Sequence, residues 1–445
     1  MTSTTSTAPD LSLRRAISGK LLFLFILGDV LGAGIYALVG QLAGEVGGAI
    51  WVPLLVALFL ALLTAASYAE LVTKYPKAGG AAVFAQRAFG RPLVSFLVGF
   101  SMLAAGVTSV AGLALAFSGD YLGALVDVPP LPAALVFLVL VALLNARGIK
   151  DSLRANVVMT VVEVGGLLLI VALAAVVLGR GDGSPGRVLE FSPEQSPVAG
   201  ILAAAVLAFY SFVGFETSAN VAEEAIDPAR TYPRALFGGL AVAGVVYVLV
   251  GLAVSTAVAP AQIADSDGPL LEVVRVADVG LPGWLYSLVA LIAVANGALL
   301  TAIMCSRLTY GMATEGLLPP VLARVLPGRR TPWVAIVVTT LVSMALVVTG
   351  DLSTLAATVV LLLLIVFIST NVAVLVLRRD RVEHRHFRTP TVVPVLGVVA
   401  CVGLLTQQEA GVWLRAAVLL AVGAVLHLLT RRASRATPQP ADRNR

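Results

Sequence analysis

The stretch "LFLFILGDVLGAGIYALVGQLAG", residues 22–44, is apolar enough to cross a membrane, yet it carries Gly28, Asp29, Gly32 and Gly34 in its middle. A charge and a set of helix-weakening glycines at the depth where a bilayer is driest demand a reason. The whole chain raises the same issue. Of its 445 residues 59% are hydrophobic and 12% charged, against about 45–50% and about 25% in ordinary soluble domains. That composition belongs to an integral membrane protein. The net charge of +5 then needs no nucleic acid partner, because basic membrane proteins concentrate Lys and Arg in their cytoplasmic loops. Cys305 and Cys401 fall in or near apolar runs with no CxxC partner and read as packing residues.

A helix needs about 20 mostly apolar residues to span a hydrocarbon core of about 30 Å. Twelve such runs are found near 21–42, 49–72, 92–118, 131–146, 153–178, 198–222, 234–257, 283–310, 332–349, 353–377, 391–406 and 411–430, the fourth and eleventh short. Turn-rich loops such as "VPPLP" (128–132) and "GRGDGSPG" (179–186) separate them, leaving no room for a soluble domain. If residues 1–20 are a cytoplasmic tail, 26 of the 30 Lys and Arg fall on the inner side, and only Arg180, Arg187, Arg275 and Arg415 on the outer. A missed or false span would swap the sides of every later loop, so the asymmetry predicts an even number of spans with both termini cytoplasmic, including a tail at 431–445.

Three of the 25 acids lie within spans: Asp29, Glu163 and Glu216. At 1.5 Å rise per residue each sits roughly 13–15 Å from its inner helix end, close to the midplane. An intramembrane carboxyl marks a functional site by default, although each also suits a structural interhelical hydrogen bond. The glycines have two readings as well. "GDVLG" (28–32) is a GxxxG that lets two helices approach closely. Alternatively, Gly32, Ala33 and Gly34 mark a break whose freed amides and carbonyls line a cavity. A second candidate break stands in the sixth span, where Gly214 lies between Phe212 and Phe215 with Glu216 next to it. Interrupted helices in corresponding halves point to a transporter site, and five spans per half (21–178 and 198–377) make the repeat inverted.

Five stretches in order carry a resemblance to a known family: "GAGIY" (32–36), "YAELVTKYPKAGGAAVFAQRAFG" (68–90), "FVGFETSANVAEEAIDPARTYPRAL" (212–236), "SRLTYGMATEGLLPP" (306–320) and "FRTPTVVPVLG" (387–397). Over residues 15–430 the chain resembles the amino acid permeases of the amino acid-polyamine-organocation superfamily. The resemblance implies an all-α integral membrane protein of about 12 transmembrane helices. Its fold would be the leucine-transporter type, a 5+5 inverted repeat with broken helices 1 and 6, plus two additional helices at 391–430. It implies that backbone amides around Gly32, Ala33 and Gly34 hold the substrate carboxylate. Carbonyls near Ile35 and around Phe212, Val213 and Gly214 would meet the amino group, and Phe212 would gate the site beside Phe215.

Two residues depart from the family's pattern. Glu163, in "NVVMTVVEVGG", occupies the place of a Lys found in some proton-coupled members, and Asp29 replaces an apolar or small residue. Both are candidates, with Glu216, for binding a coupling ion. Asn296, midway along the eighth span, is a further polar candidate for the pocket or a helix–helix bond. Neither the "HRH" at 384–386 nor His427 has metal-ligand company, and Glu223 and Glu224 read as an inner-loop cluster with Arg230 and Arg234. The expected function is secondary active amino acid transport in the cell membrane by alternating access, with proton (or sodium) symport. A polyamine or organic-cation carrier, an exchanger and a substrate-sensing receptor remain alternatives. No catalytic set, cofactor, metal or ATP-binding GxxxxGK[ST] loop is expected.

Overall fold

A computed structural model gives the architecture and describes residues 17–31, 34–76, 80–147, 149–193, 196–222, 225–266, 268–326 and 331–436. In chain order the helices are α1 (Gly19–Leu31), α2 (Gly34–Val46), α3 (Trp51–Lys74), α4 (Gly80–Phe89), α5 (Pro92–Ser118), α6 (Asp120–Gly123), α7 (Pro130–Arg147), α8 (Ile149–Arg180) and α9 (Pro197–Tyr210). They continue as α10 (Pro228–Ala257), α11 (Pro260–Ala264), α12 (Pro269–Ala277), α13 (Gly283–Thr314), α14 (Trp333–Thr349), α15 (Leu352–Leu377), α16 (Val392–Leu405) and α17 (Ala410–Ala436). Among the described residues the sole departure from helix and loop is an isolated bridge, in which Ile226 N–H donates to the Ile17 carbonyl at 2.9 Å beside the Ile17–Ala225 pair. The protein is an all-α, multi-pass membrane protein.

Ten apolar segments have membrane-spanning length, and α14 (17 residues) and α16 (14 residues) are shorter apolar helices. Each of the twelve apolar runs of the sequence therefore contains helix, but two fall below a full hydrocarbon crossing. The fourth, expected to be short, reaches 18 residues, whereas the ninth is cut back between Pro332 and Gly350. Pro starts a helix because it needs no N–H partner, and Gly ends one. Short helices that the hydropathy reading passed over, α4, α11 and α12, lie in the connections.

The sixth span departs from regular helix. The first consists of α1 and α2 on either side of residues 32 and 33, which lie outside the described residues. The sixth leaves α-helix at Tyr210 and resumes as a 3-10 turn over Phe215–Asn220. Helix ends buried inside a protein need partners for their free carbonyls. Tyr247 of α10 serves the end of α9 and ties it to the first span, its hydroxyl lying 3.1 Å from the Ser211 carbonyl and 2.6 Å from that of Val30. Around this crossing pack buried aromatic side chains: Phe212 edge-on to Tyr247, and Phe215 against Tyr68 and Phe367.

At one end of the bundle α3 is tied to the segment after α15. The buried Glu70 carboxylate accepts from Arg378 Nε and Nη2 at 3.2 and 3.1 Å and from Thr389 N–H at 2.8 Å. Lys74 Nζ donates to the carbonyls of Leu377 and Asp380, both at 2.6 Å. This is the "YAELVTKYP" stretch (68–76), and its polar residues knit two helix ends together instead of facing solvent.

Candidate functional site

The glycines of the first and sixth spans allow those segments to touch backbone to backbone. A methyl group on Gly34 would stand 2.6 Å from the Ser211 Cα, and one on Gly214 would stand 2.6 Å from the Asp29 carbonyl oxygen. Real Cβ atoms do not approach so closely. Gly214 also has φ +126°, a conformation effectively reserved for glycine. Gly28 does a separate job: its Cα faces the Thr160 hydroxyl on α8, where a Cβ would lie 2.1 Å from the oxygen. The close-approach reading of "GDVLG" therefore holds for Gly28, with α8 as the neighbour, while Gly32 lies outside the described residues.

A small cavity of about 50 Å³ lies at this crossing. Asp29, Gly34, Val213, Gly214 and Glu216 line it, joined by Ser211 and Thr217. The opposite wall, from α5, α13 and α15, is mostly apolar: Met102, Leu113, Met304, Val359 and Leu363, relieved by Ser109 and Thr301. Asp29 accepts a hydrogen bond from the Thr217 hydroxyl, which also lies 2.8 Å from the Gly214 carbonyl. Glu216 folds back to accept from the Gly214 N–H at 2.9 Å. Tyr210 lines the cavity with its hydroxyl 3.2 Å from that of Ser109.

Other sequence candidates sit apart from the cavity wall. Ile35, Phe212 and Phe215 are fully buried and do not line it; Gly32 and Ala33, like Glu223 and Glu224, lie outside the described residues. Glu163 is fully buried behind the first span, near enough to Asp29 to interact with it electrostatically. Neither of its carboxyl oxygens has a well-formed hydrogen bond among the described residues, although the Asn296 amide stands nearby. Its backbone carbonyl accepts from the Tyr36 hydroxyl at 3.0 Å. Asn296 donates to Asn156 Oδ1 at 3.1 Å, linking α13 to α8, and its neighbour Gly297 lines the cavity instead. That is the helix–helix bond admitted as an alternative for it.

Sequence reasoning missed Ser109, Tyr210, Ser211 and Thr217. Small hydroxyl residues are common in spans and carry no signal of their own. Ser211 immediately precedes and Thr217 lies inside the quoted stretch 212–236, so the interruption was in view and only its extent was not. Cys305 and Cys401 are buried and free. His427 packs tilted against Phe96 with ring centroids 4.5 Å apart, and His384 reaches the Thr73 carbonyl at 3.2 Å.

The molecule is thus a multi-pass helical bundle with a small cavity beside the interruption of its sixth span. The chain belongs to the amino acid permease family, whose model matches residues 17–426; it is a secondary transporter and not an enzyme. It is 29% identical to the branched-chain amino acid permease BcaP of Bacillus subtilis (strain 168) over 96% of this chain and 95% of that one. The methylthioribose transporter of the same organism is 27% identical over 95% and 94% of the two chains. The vacuolar cationic amino acid transporter 2 of Arabidopsis thaliana is 30% identical over 82% of this chain and 60% of its own length.

Proposed function

We propose that the protein carries a neutral amino acid with an apolar side chain across the cell membrane, by alternating access coupled to a proton. The observation that carries this reading is the divided character of the cavity. One wall is irregular backbone with Asp29, Ser211, Gly214 and Thr217; the other is thioether and aliphatic. A zwitterion needs dipoles at one end and a side-chain pocket at the other, and fixed backbone groups replace its hydration shell. In this reading the amides around Gly32, Ala33 and Gly34 take the carboxylate. Carbonyls of Ile35, Phe212 and Val213, with those flanking Gly214 and Phe215, take the ammonium. The fold is the leucine-transporter type, with inverted halves 21–178 and 198–377 and both termini cytoplasmic.

Coupling falls to Glu163 and Asp29, with Glu216 as the third carboxyl of the layer. A buried carboxyl without donor or counter-cation is costly in its charged form, so a proton arriving at Glu163 relieves a penalty that the fold leaves standing. Sodium would need several oxygen ligands held together, whereas a proton needs one carboxyl.

A second reading, a cationic amino acid or polyamine as substrate, is favoured by Asp29 and Glu216 lining the cavity together. Both carboxylates are engaged by Thr217 and Gly214, which favours the neutral substrate. The test is uptake into proteoliposomes of leucine, valine, methionine, lysine, arginine and spermidine, with proton and sodium gradients imposed separately. Concentrative uptake of the apolar amino acids under a proton gradient alone is expected. Accumulation of lysine or spermidine in preference would establish the second reading, and binding without flux would point to a sensor.

A further inference from the structure

Away from the transport cavity, an open groove of about 580 Å³ lies between the start of α10 and the segment that follows α15. Arg230 and Arg234 enter it from α10, and Arg385 and His386 from the "HRH" run of that segment. Phe237 and Phe387 close its apolar side, their ring centroids 5.7 Å apart. No carboxylate lines it among the described residues; Glu383 is exposed in the same segment but outside the groove. The basic segment is held in place by α3: Phe387 N–H donates to the Thr73 hydroxyl at 3.0 Å, and His384 bonds the Thr73 carbonyl.

Three guanidiniums from two distant parts of the chain thus face one concavity. Scattered inner-loop cations that satisfy topology alone have no reason to converge. A fork of guanidiniums with a helix start beside it matches a phosphate group. The location narrows the source. α10 has 30 residues and is about 45 Å long, roughly 15 Å more than the hydrocarbon core, so Arg230 and Arg234 in its first two turns stand at headgroup level. Below Arg234 on the same helical face run Val242, Val245 and Leu249, exposed by 39%, 59% and 39%. Cations at the rim, an aromatic pair at the shoulder and an exposed aliphatic track below form the profile of a phospholipid.

We infer that this groove binds the phosphate of an anionic phospholipid headgroup, with the acyl chain lying along the exposed face of α10. A basic side chain at an anionic headgroup surface contributes about fivefold in affinity.

The experiment is a titration of the purified full-length protein in neutral detergent, read by native mass spectrometry. Its ligands are dioctanoyl phosphatidylglycerol, dioctanoyl phosphatidylcholine and inorganic phosphate. Phosphatidylglycerol is expected to bind at least tenfold tighter than phosphatidylcholine. Arg234→Gln/Arg385→Gln should weaken it by roughly 25-fold, while Arg379→Gln/Arg381→Gln, equal in charge but outside the groove, should leave it unchanged. Equal affinity for the two lipids, or equal loss in both double variants, would overturn the site. Displacement of phosphatidylglycerol by inorganic phosphate at matching concentration would overturn the lipid as the source and leave a soluble phosphate as the ligand.

Discussion

Gly214→Ala is the sharpest probe of the crossing between the first and sixth spans. The added methyl would stand 2.6 Å from the Asp29 carbonyl oxygen and 2.9 Å from its carbonyl carbon, both backbone atoms. An ordinary contact needs about another ångström, and neither segment is free to yield it, because Tyr247 holds the Val30 and Ser211 carbonyls on either side. Overpacking of a tight interior costs about 1–3 kcal/mol. Alanine at φ +126° adds about 1–3 kcal/mol of backbone strain, for a total of roughly 2–6 kcal/mol. The control is Gly165→Ala on α8, where a Cβ meets nothing within 4 Å and helix propensity gains up to about 1 kcal/mol. Melting in detergent and initial rates of amino acid uptake in proteoliposomes should separate the two. Gly165→Ala is expected to melt at or above the parent temperature and to transport normally. Gly214→Ala should melt several degrees lower and lose at least tenfold in rate. If Gly214→Ala melts with the parent and transports within twofold of it, the two backbones do not meet as described and the cavity loses its irregular wall.

Glu163→Gln should abolish concentrative uptake under a proton gradient while sparing exchange of internal for external substrate; equal loss of both would assign Glu163 to binding or folding instead. Tyr247→Phe removes the donor shared by two buried carbonyls and is expected to cost about 1–3 kcal/mol of stability, with a fall in transport larger than that of a distant Tyr→Phe change; a neutral result would mean those carbonyls find other partners. Arg378→Ala leaves the Glu70 carboxylate buried with Thr389 N–H as its remaining described donor, a loss of about 3–5 kcal/mol, whereas Glu70→Met/Arg378→Met should recover most of it. Burial alone would raise the Asp351 carboxyl from 3.8, but hydrogen bonds from Ser353 and Thr354 hold it down at about 2. With the folded value depressed, its helix-capping contribution is present at neutral pH and is lost as the pH falls from about 4 to about 2. The melting difference between the parent and Asp351→Asn should change over that window and stay flat above it.

What could be read from the sequence follows from what each feature costs in a bilayer. Twelve apolar runs, the all-helical class and the irregular sixth span were legible because water is absent there and every departure from apolar helix stands out. Asp29 and Glu216 stood out for the same reason, and both line the cavity. Phe212 and Phe215 were equally conspicuous but pack away from it, against Tyr247 and Phe367. Aromatic residues beside a break have a choice of faces once regular helix ends, and neither hydropathy nor a 3.6-residue period records which face they take. Ser109, Met102 and Met304 were invisible for the opposite reason: they are ordinary residues of ordinary helices, and only the packing of α5 and α13 against the crossing makes them a wall. Lys74 and Glu70 show the same limit from the polar side. Near a span end they read as membrane-boundary charges, yet Lys74 donates to the carbonyls of Leu377, at the end of α15, and of Asp380 just beyond it, and Glu70 takes Arg378 from the same turn. Those partners lie some 300 positions away in the chain. Hydropathy along one dimension finds the helices and the charges that ought not to be there; which of those charges a neighbour satisfies, and which, like Glu163, has no well-formed hydrogen bond among the described residues, is decided by packing alone.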